Sequence, residues 1–199
     1  MTRRDLIGTL ASAVITSATA QRVQVPVHRI VDARLHSPDR LRRFQSKIWP
    51  EAVRDFSRGG IDLQITDGPG EVKFTAADRP ILLGLQRHAI NLVVTDRIPM
   101  YWDGGRAWAG VTTLYEGYHV CMIALRYAHG DQVAFVSVNT CVHEILHALM
   151  QDIFLKSPKW YQAGGREFRI DWYATRMWMF HEGDAVRASA SGYLERLRK

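Results

Sequence analysis

The sequence predicts an α/β protein of the α+β kind: a small mixed sheet backed by helices, followed by a helical C-terminal lobe. Three observations predict it. Ile61-Asp62-Leu63-Gln64-Ile65 alternates apolar and polar side chains, the period of a strand buried on one face. Leu41, Phe44 and Ile48 recur just before it at the spacing of one helix face. The last third of the chain reads as three helices in succession, about 139–152, 166–180 and a final one that closes the chain.

The 199 residues suit one domain, or two small lobes sharing a cleft, with the N-terminal lobe over about 21–152 and the helical lobe over about 153–199. A formal charge of +6 raises the question of a nucleic-acid partner. The arginines are spread along the chain, however, and the densest group (Arg40, Arg42, Arg43 and Lys47) reads as the wet face of a helix. No nucleic-acid partner is expected.

Residues 1–20 have the layout of an export signal. Arg3 and Arg4 precede a mildly apolar run from Leu6 to Ala18, and Ala18-Thr19-Ala20 forms a cleavage site that would make Gln21 the first mature residue. The run is too short and too rich in Ala, Ser and Thr to span a bilayer, so no stable membrane insertion is expected after cleavage. Thr2-Arg3-Arg4-Asp5-Leu6-Ile7 resembles the twin-arginine signal, which implies a periplasmic or extracellular bacterial protein. In an oxidising compartment Cys121 and Cys141 either form a disulfide or stay two separate buried thiols; their spacing does not decide.

The elements follow in order. Residues 21–36 form an extended lead. Ser37-Pro38-Asp39 starts a helix, with a capping hydroxyl and a proline in the first turn. Pro50 breaks or kinks that helix, whose apolar face resumes at Val53 and Phe56 and ends at Gly59-Gly60. The strand from Ile61 ends in the turn Asp67-Gly68-Pro69-Gly70. Residues 80–88 are expected to be helical, 90–95 a second strand, and 99–110 a loop around Asp103-Gly104-Gly105. Residues 106–114 suit a cleft-edge strand able to pair with an extended peptide. The apolar runs 119–127 and 133–138, parted by His129-Gly130-Asp131, read as a hairpin or as adjacent strands, with His119 a structural residue.

The chemistry sits at His143-Glu144-Ile145-Leu146-His147, an HExxH motif. Residues four apart on a helix stack one turn above each other, so His143 and His147 offer two imidazoles to one point. Two nitrogens of that kind suit Zn2+, which also needs a third protein ligand and keeps a position open for water. Glu144 lies about 100° around the helix from His143, outside the ligand set, where it can act as general base towards a zinc-activated water. From Thr140 to Leu149 the chain holds no other charge, which favours a dry site.

On these residues the chain resembles the zincin metallopeptidases. The metzincin extension is absent, because its glycine and third ligand would fall at Met150 and Ile153. Asp152 sits about 140° around the helix from His147 and points away from the metal unless the helix breaks. Glu167-Phe168-Arg169-Ile170-Asp171 is similar to the second motif of the gluzincins, the thermolysin-like class, which implies Glu167 as third zinc ligand and Asp171 as the residue orienting a ligand histidine. Ile170 departs from the small residue usual there. A rival assignment makes Asp171 itself the ligand, as in aspzincins, whose fuller signature is absent. The resemblance covers residues 90–181 and implies a zincin-like fold, with the HExxH helix on the floor of a cleft. Tyr161 and His181, flanking the Glu167 helix, are the candidate donors to the oxyanion of a tetrahedral intermediate.

The function expected is hydrolysis of peptide or protein substrates. Two alternatives stand beside it: a catalytically silent zincin-like binding protein, and a zinc amidohydrolase acting on cell-wall or small amide bonds. Oligomeric state is not legible from the sequence.

Overall fold

A computed structural model describes residues 22–32, 35, 37–77, 79–98, 109–129, 132–150, 170 and 180–197. Its framework is a five-stranded mixed sheet in the order β2-β1-β5-β7-β6. The strands are β1 (Val23–Val31), β2 (Ile61–Asp67), β5 (Ile90–Thr95), β6 (Gly110–Tyr115) and β7 (Tyr118–Ala124). The pairs β1/β2, β1/β5 and β5/β7 are parallel, and β6 returns antiparallel to β7 at the edge. The chain is therefore mixed α/β, as its patterning predicts.

The extended lead thus becomes β1, an interior strand. The alternation at Ile61–Ile65 becomes β2, and the strand expected over 90–95 becomes β5. All six β5 residues are buried because both faces of an interior parallel strand are covered. On one face Val25, Val27, Ile90, Leu92, Val94, Cys121 and Ile123 pack against helices. On the other, Val93, Val120, Met122 and Ala124 pack against Val72 and Leu82. Those two residues belong to an antiparallel hairpin of β3 (Glu71–Phe74) and β4 (Pro80–Leu83).

The hairpin corrects the helix expected over 80–88. Leu82 is buried while Ile81 and Leu83 are exposed, a period-two pattern that pairing with β3 imposes. An apolar run this short carries no helical or strand preference strong enough to resist that pairing. The two later apolar runs are also divided differently. β7 joins the main sheet, and β8 (Arg126–His129) with β9 (Gln132–Phe135) forms a separate hairpin after Leu125.

Helix α1 (Pro38–Arg43) runs through one wide π-helical turn (Phe44–Ile48) into α2 (Trp49–Arg58) without stopping. Pro50 falls in the first turn of α2. Proline lacks an N–H and crowds the carbonyl one turn back, and the wider turn just before it accommodates both defects. Trp49, Ala52 and Phe56 face the core, while Arg54–Glu51 and Arg58–Asp55 pair on the wet side.

Helix α3 (Val138–Leu149) opens at Ser137, whose hydroxyl accepts the Thr140 N–H at 3.2 Å. The C-terminal helix α4 (Phe180–Leu197) packs Val186, Ala190 and Tyr193 into the same core. Arg187 of α4 donates to the Gly59 carbonyl at 2.8 Å, tying the end of the chain to the end of α2. No helix among the described residues is long and apolar enough to cross a membrane. The export signal expected over 1–20 and the greater part of the helix expected over 166–180 lie outside the described residues. Ile170 is described: it is helical, fully buried, and part of the core that holds α3.

Candidate functional site

Helix α3 is anchored by Val142, Ile145, Leu146 and Leu149, each 1% exposed or less. Burying such a side chain contributes about 1.5–3 kcal/mol, so the helix has one seat on the sheet and its polar face is fixed with it. That face holds His143, half-buried, and Glu144 and His147, 6% and 7% exposed.

The two imidazoles converge. Nε2 of His147 lies 2.8 Å from Nε2 of His143, and the rings meet edge to face with centroids 4.6 Å apart. A hydrogen bond at that distance has one ring donating and the other accepting. The donor chemistry also fits zinc, whose tetrahedral nitrogen ligands, each about 2.0–2.1 Å from the metal, sit roughly 3.3 Å from one another. A small opening of the pair would suffice. Among the described residues no third His, Cys, Asp or Glu joins them in a metal-binding group. The candidate third donors Glu167, Asp171 and Asp152 lie outside the described residues, as does Tyr161. His181 falls in the first turn of α4.

Glu144 lies against the edge strand β6. Thr112 Oγ1 donates to Glu144 Oε2 at 2.7 Å and also lies 2.8 Å from the Glu144 main-chain oxygen. Gly110 permits the approach: a Cβ there would stand 2.5 Å from Glu144 Cγ and 2.7 Å from Oε1. Taking a carboxylate out of water is costly unless hydrogen bonds replace the lost solvent, and β6 supplies one of them. Neither Gly110 nor Thr112 was identified as a site residue from the sequence. The available signal was a glycine inside a strand, which marks close approach of a neighbour.

Cys121, on β7, and Cys141, on α3, are both buried free thiols. Of the two outcomes open for them, the separate thiols are the ones observed. Burial, and then the charge of Glu144, pushes the Cys141 thiol up to about 12 and raises Cys121 further. Burial of this kind disfavours the thiolate form of both. His119 stacks edge-to-face on Tyr193 at 4.9 Å, in keeping with a structural role. Burial, and then the charge of Arg196, lowers its pKa.

The sheet edge beside Glu144 is open: among the described residues no strand pairs with the outer side of β6. The Ala124 N–H donates to the Ala109 carbonyl at 2.9 Å, and Gly110, Thr112 and Leu114 stand opposite Ile123, Cys121 and His119. In an antiparallel ladder hydrogen-bonded and non-bonded pairs alternate. The main-chain groups of Gly110, Thr112 and Leu114 therefore point to the free edge.

Compared with protein-family models, with curated proteins and with solved structures, the chain matches none.

Proposed function

We propose that the chain is an exported zinc metallopeptidase of the zincin type, with His143, His147 and Glu167 as metal ligands. The observation that carries this reading is the convergence of the His143 and His147 ε-nitrogens beside a buried Glu144. A helix held only for stability would gain from apolar residues at these positions, whereas a hydrolytic site needs this set.

Zinc, when bound, would acidify a water and polarise a carbonyl. The remaining roles belong to the chain. Glu144 accepts the proton from the attacking water at its carboxylate and returns it to the leaving amine. Tyr161 and His181 are the proposed donors to the developing oxyanion, and Asp171 orients a ligand histidine. An extended peptide would lie along β6, bonding to the outward main-chain groups of Gly110, Thr112 and Leu114. Leu114, 52% exposed on the same strand face as Gly110 and Thr112, offers it an apolar contact. Glu144 lies over that edge, so the strand that would dock the substrate also carries the base. The reading as an exported protein rests on the layout of residues 1–20.

The deciding experiment measures zinc stoichiometry and casein or peptide hydrolysis for wild type, Glu144→Gln and Glu167→Ala. The expected pattern is one zinc and turnover for wild type, one zinc and no turnover for Glu144→Gln, and weakened zinc binding for Glu167→Ala. Wild-type hydrolysis by Glu144→Gln would refute the assignment.

A further inference from the structure

We infer that Thr112 is a positioning residue for Glu144, serving the carboxyl group in both of its protonation states. The inference rests on the peptidase reading and extends the machinery to a residue outside the HExxH motif. Three observations carry it. The Thr112 hydroxyl, on β6, has two Glu144 acceptors within reach, Oε2 at 2.7 Å and the main-chain oxygen at 2.8 Å. Glu144 is 6% exposed, so water cannot readily stand in for a protein partner. Gly110, two residues earlier on the same strand face, leaves the space that lets the carboxylate lie against β6.

A hydroxyl has one proton to donate and lone pairs with which to accept. With Glu144 ionised, the Thr112 proton goes to Oε2 and fixes the plane of the carboxylate. Once Glu144 has taken up a proton, the carboxylic acid can donate to Thr112 Oγ1 while Thr112 turns its own proton to the Glu144 main-chain oxygen. No bond is broken in Thr112, and no buried donor is left without an acceptor in either state. A side chain that could only donate or only accept would serve one half of the cycle and oppose the other. Glu144 must pass through both states in every turnover, because it takes a proton from water and gives one to the leaving group. Cys121 Sγ, 3.3 Å from the Glu144 main-chain oxygen, is a protonated thiol at the same acceptor and adds no charge.

The test compares Thr112→Val, which keeps the shape of the side chain, and Thr112→Ser, which keeps the hydroxyl, with wild type in the full-length protein. Thr112→Val should lower kcat about 10–100-fold, the range for loss of a group that supports a catalytic residue, with KM and zinc stoichiometry little changed. Thr112→Ser should restore most of that loss. A second readout needs no turnover: thermal unfolding of Thr112→Val, Glu144→Ala and the double variant. A smaller midpoint shift in the double variant than the sum of the two single shifts is expected, since each change removes the same hydrogen bond. Wild-type kcat in Thr112→Val, no recovery in Thr112→Ser, or strictly additive midpoint shifts would each overturn the inference. Absence of hydrolysis by wild type would instead refute the peptidase reading, and the positioning role would fall with it even if the midpoint shifts were coupled.

Discussion

Helices α2 and α3 lie against each other on one face of the same sheet, and they place their carboxylates in opposite surroundings. On α2, Glu51 and Asp55 stand at the wet surface beside Arg54 and Arg58, and the buried face is Trp49, Ala52 and Phe56 alone. On α3, the single carboxylate is turned inward to 6% exposure and bonded to a threonine on a strand, with two histidines beside it. Surface pairs of the α2 kind contribute little and cost little. A buried carboxylate is hard to account for as a stabilising device. The difference teaches that α2 keeps its charges at the surface and buries only apolar groups, whereas α3 buries a polar face, the arrangement that the proposed hydrolytic site requires.

The comparison can be broken or sharpened from either side, and the largest effect belongs to α2. Phe56, fully buried under that helix, should cost about 3–5 kcal/mol as Phe56→Ala in denaturant unfolding. A loss under about 1 kcal/mol would mean that α2 does not carry the core. Next comes α3, where Glu144→Gln should lower kcat at least ~100-fold, equivalent to about 2.7 kcal/mol of barrier. The same variant should unfold no more readily than wild type in a thermal scan. A marked drop in its midpoint would place Glu144 among the stabilising residues and erase the contrast.

Gly110→Ala probes the strand that meets α3. The added methyl would collide with Glu144 Cγ, and the flexible Glu144 side chain is the part able to move. Displacing it should lower kcat roughly 10–100-fold with zinc content preserved. Unchanged kinetics would show that the carboxylate need not rest on β6.

A smaller effect should follow pH through His119. Its pKa is depressed by burial and by Arg196, so protonating it costs more in the folded chain than in the unfolded one. Stability from this source is complete above about pH 6.5, the unfolded value, and declines as pH falls below it. The fall in unfolding midpoint between pH 7 and pH 5 should be shallower in His119→Gln, and an identical slope would remove His119 as the cause. Smallest of all, Glu51→Ala on the wet face of α2 should change stability by no more than about 0.5 kcal/mol in the same assay.

The sequence by itself determined what depends on neighbours along the chain. Alternation over Ile61–Ile65 marked β2, helical spacing marked α1 and α2, and the HExxH spacing put two imidazoles on one face of α3, because these periods are properties of the backbone itself. The mixed α/β class followed from them. Tertiary structure alone decided the rest. Residues 80–83 became a strand because β3 lay ready to pair with them. The wide turn before Pro50 kept α1 and α2 in one run where a break was as compatible with the sequence. Thr112 and Gly110 meet Glu144 from more than thirty residues away, and no local pattern encodes a contact over that separation. Hydrogen bonds and close packing between distant segments exist only once the strand order is set, so the HExxH pair could be read from the chain and the setting of its base could not.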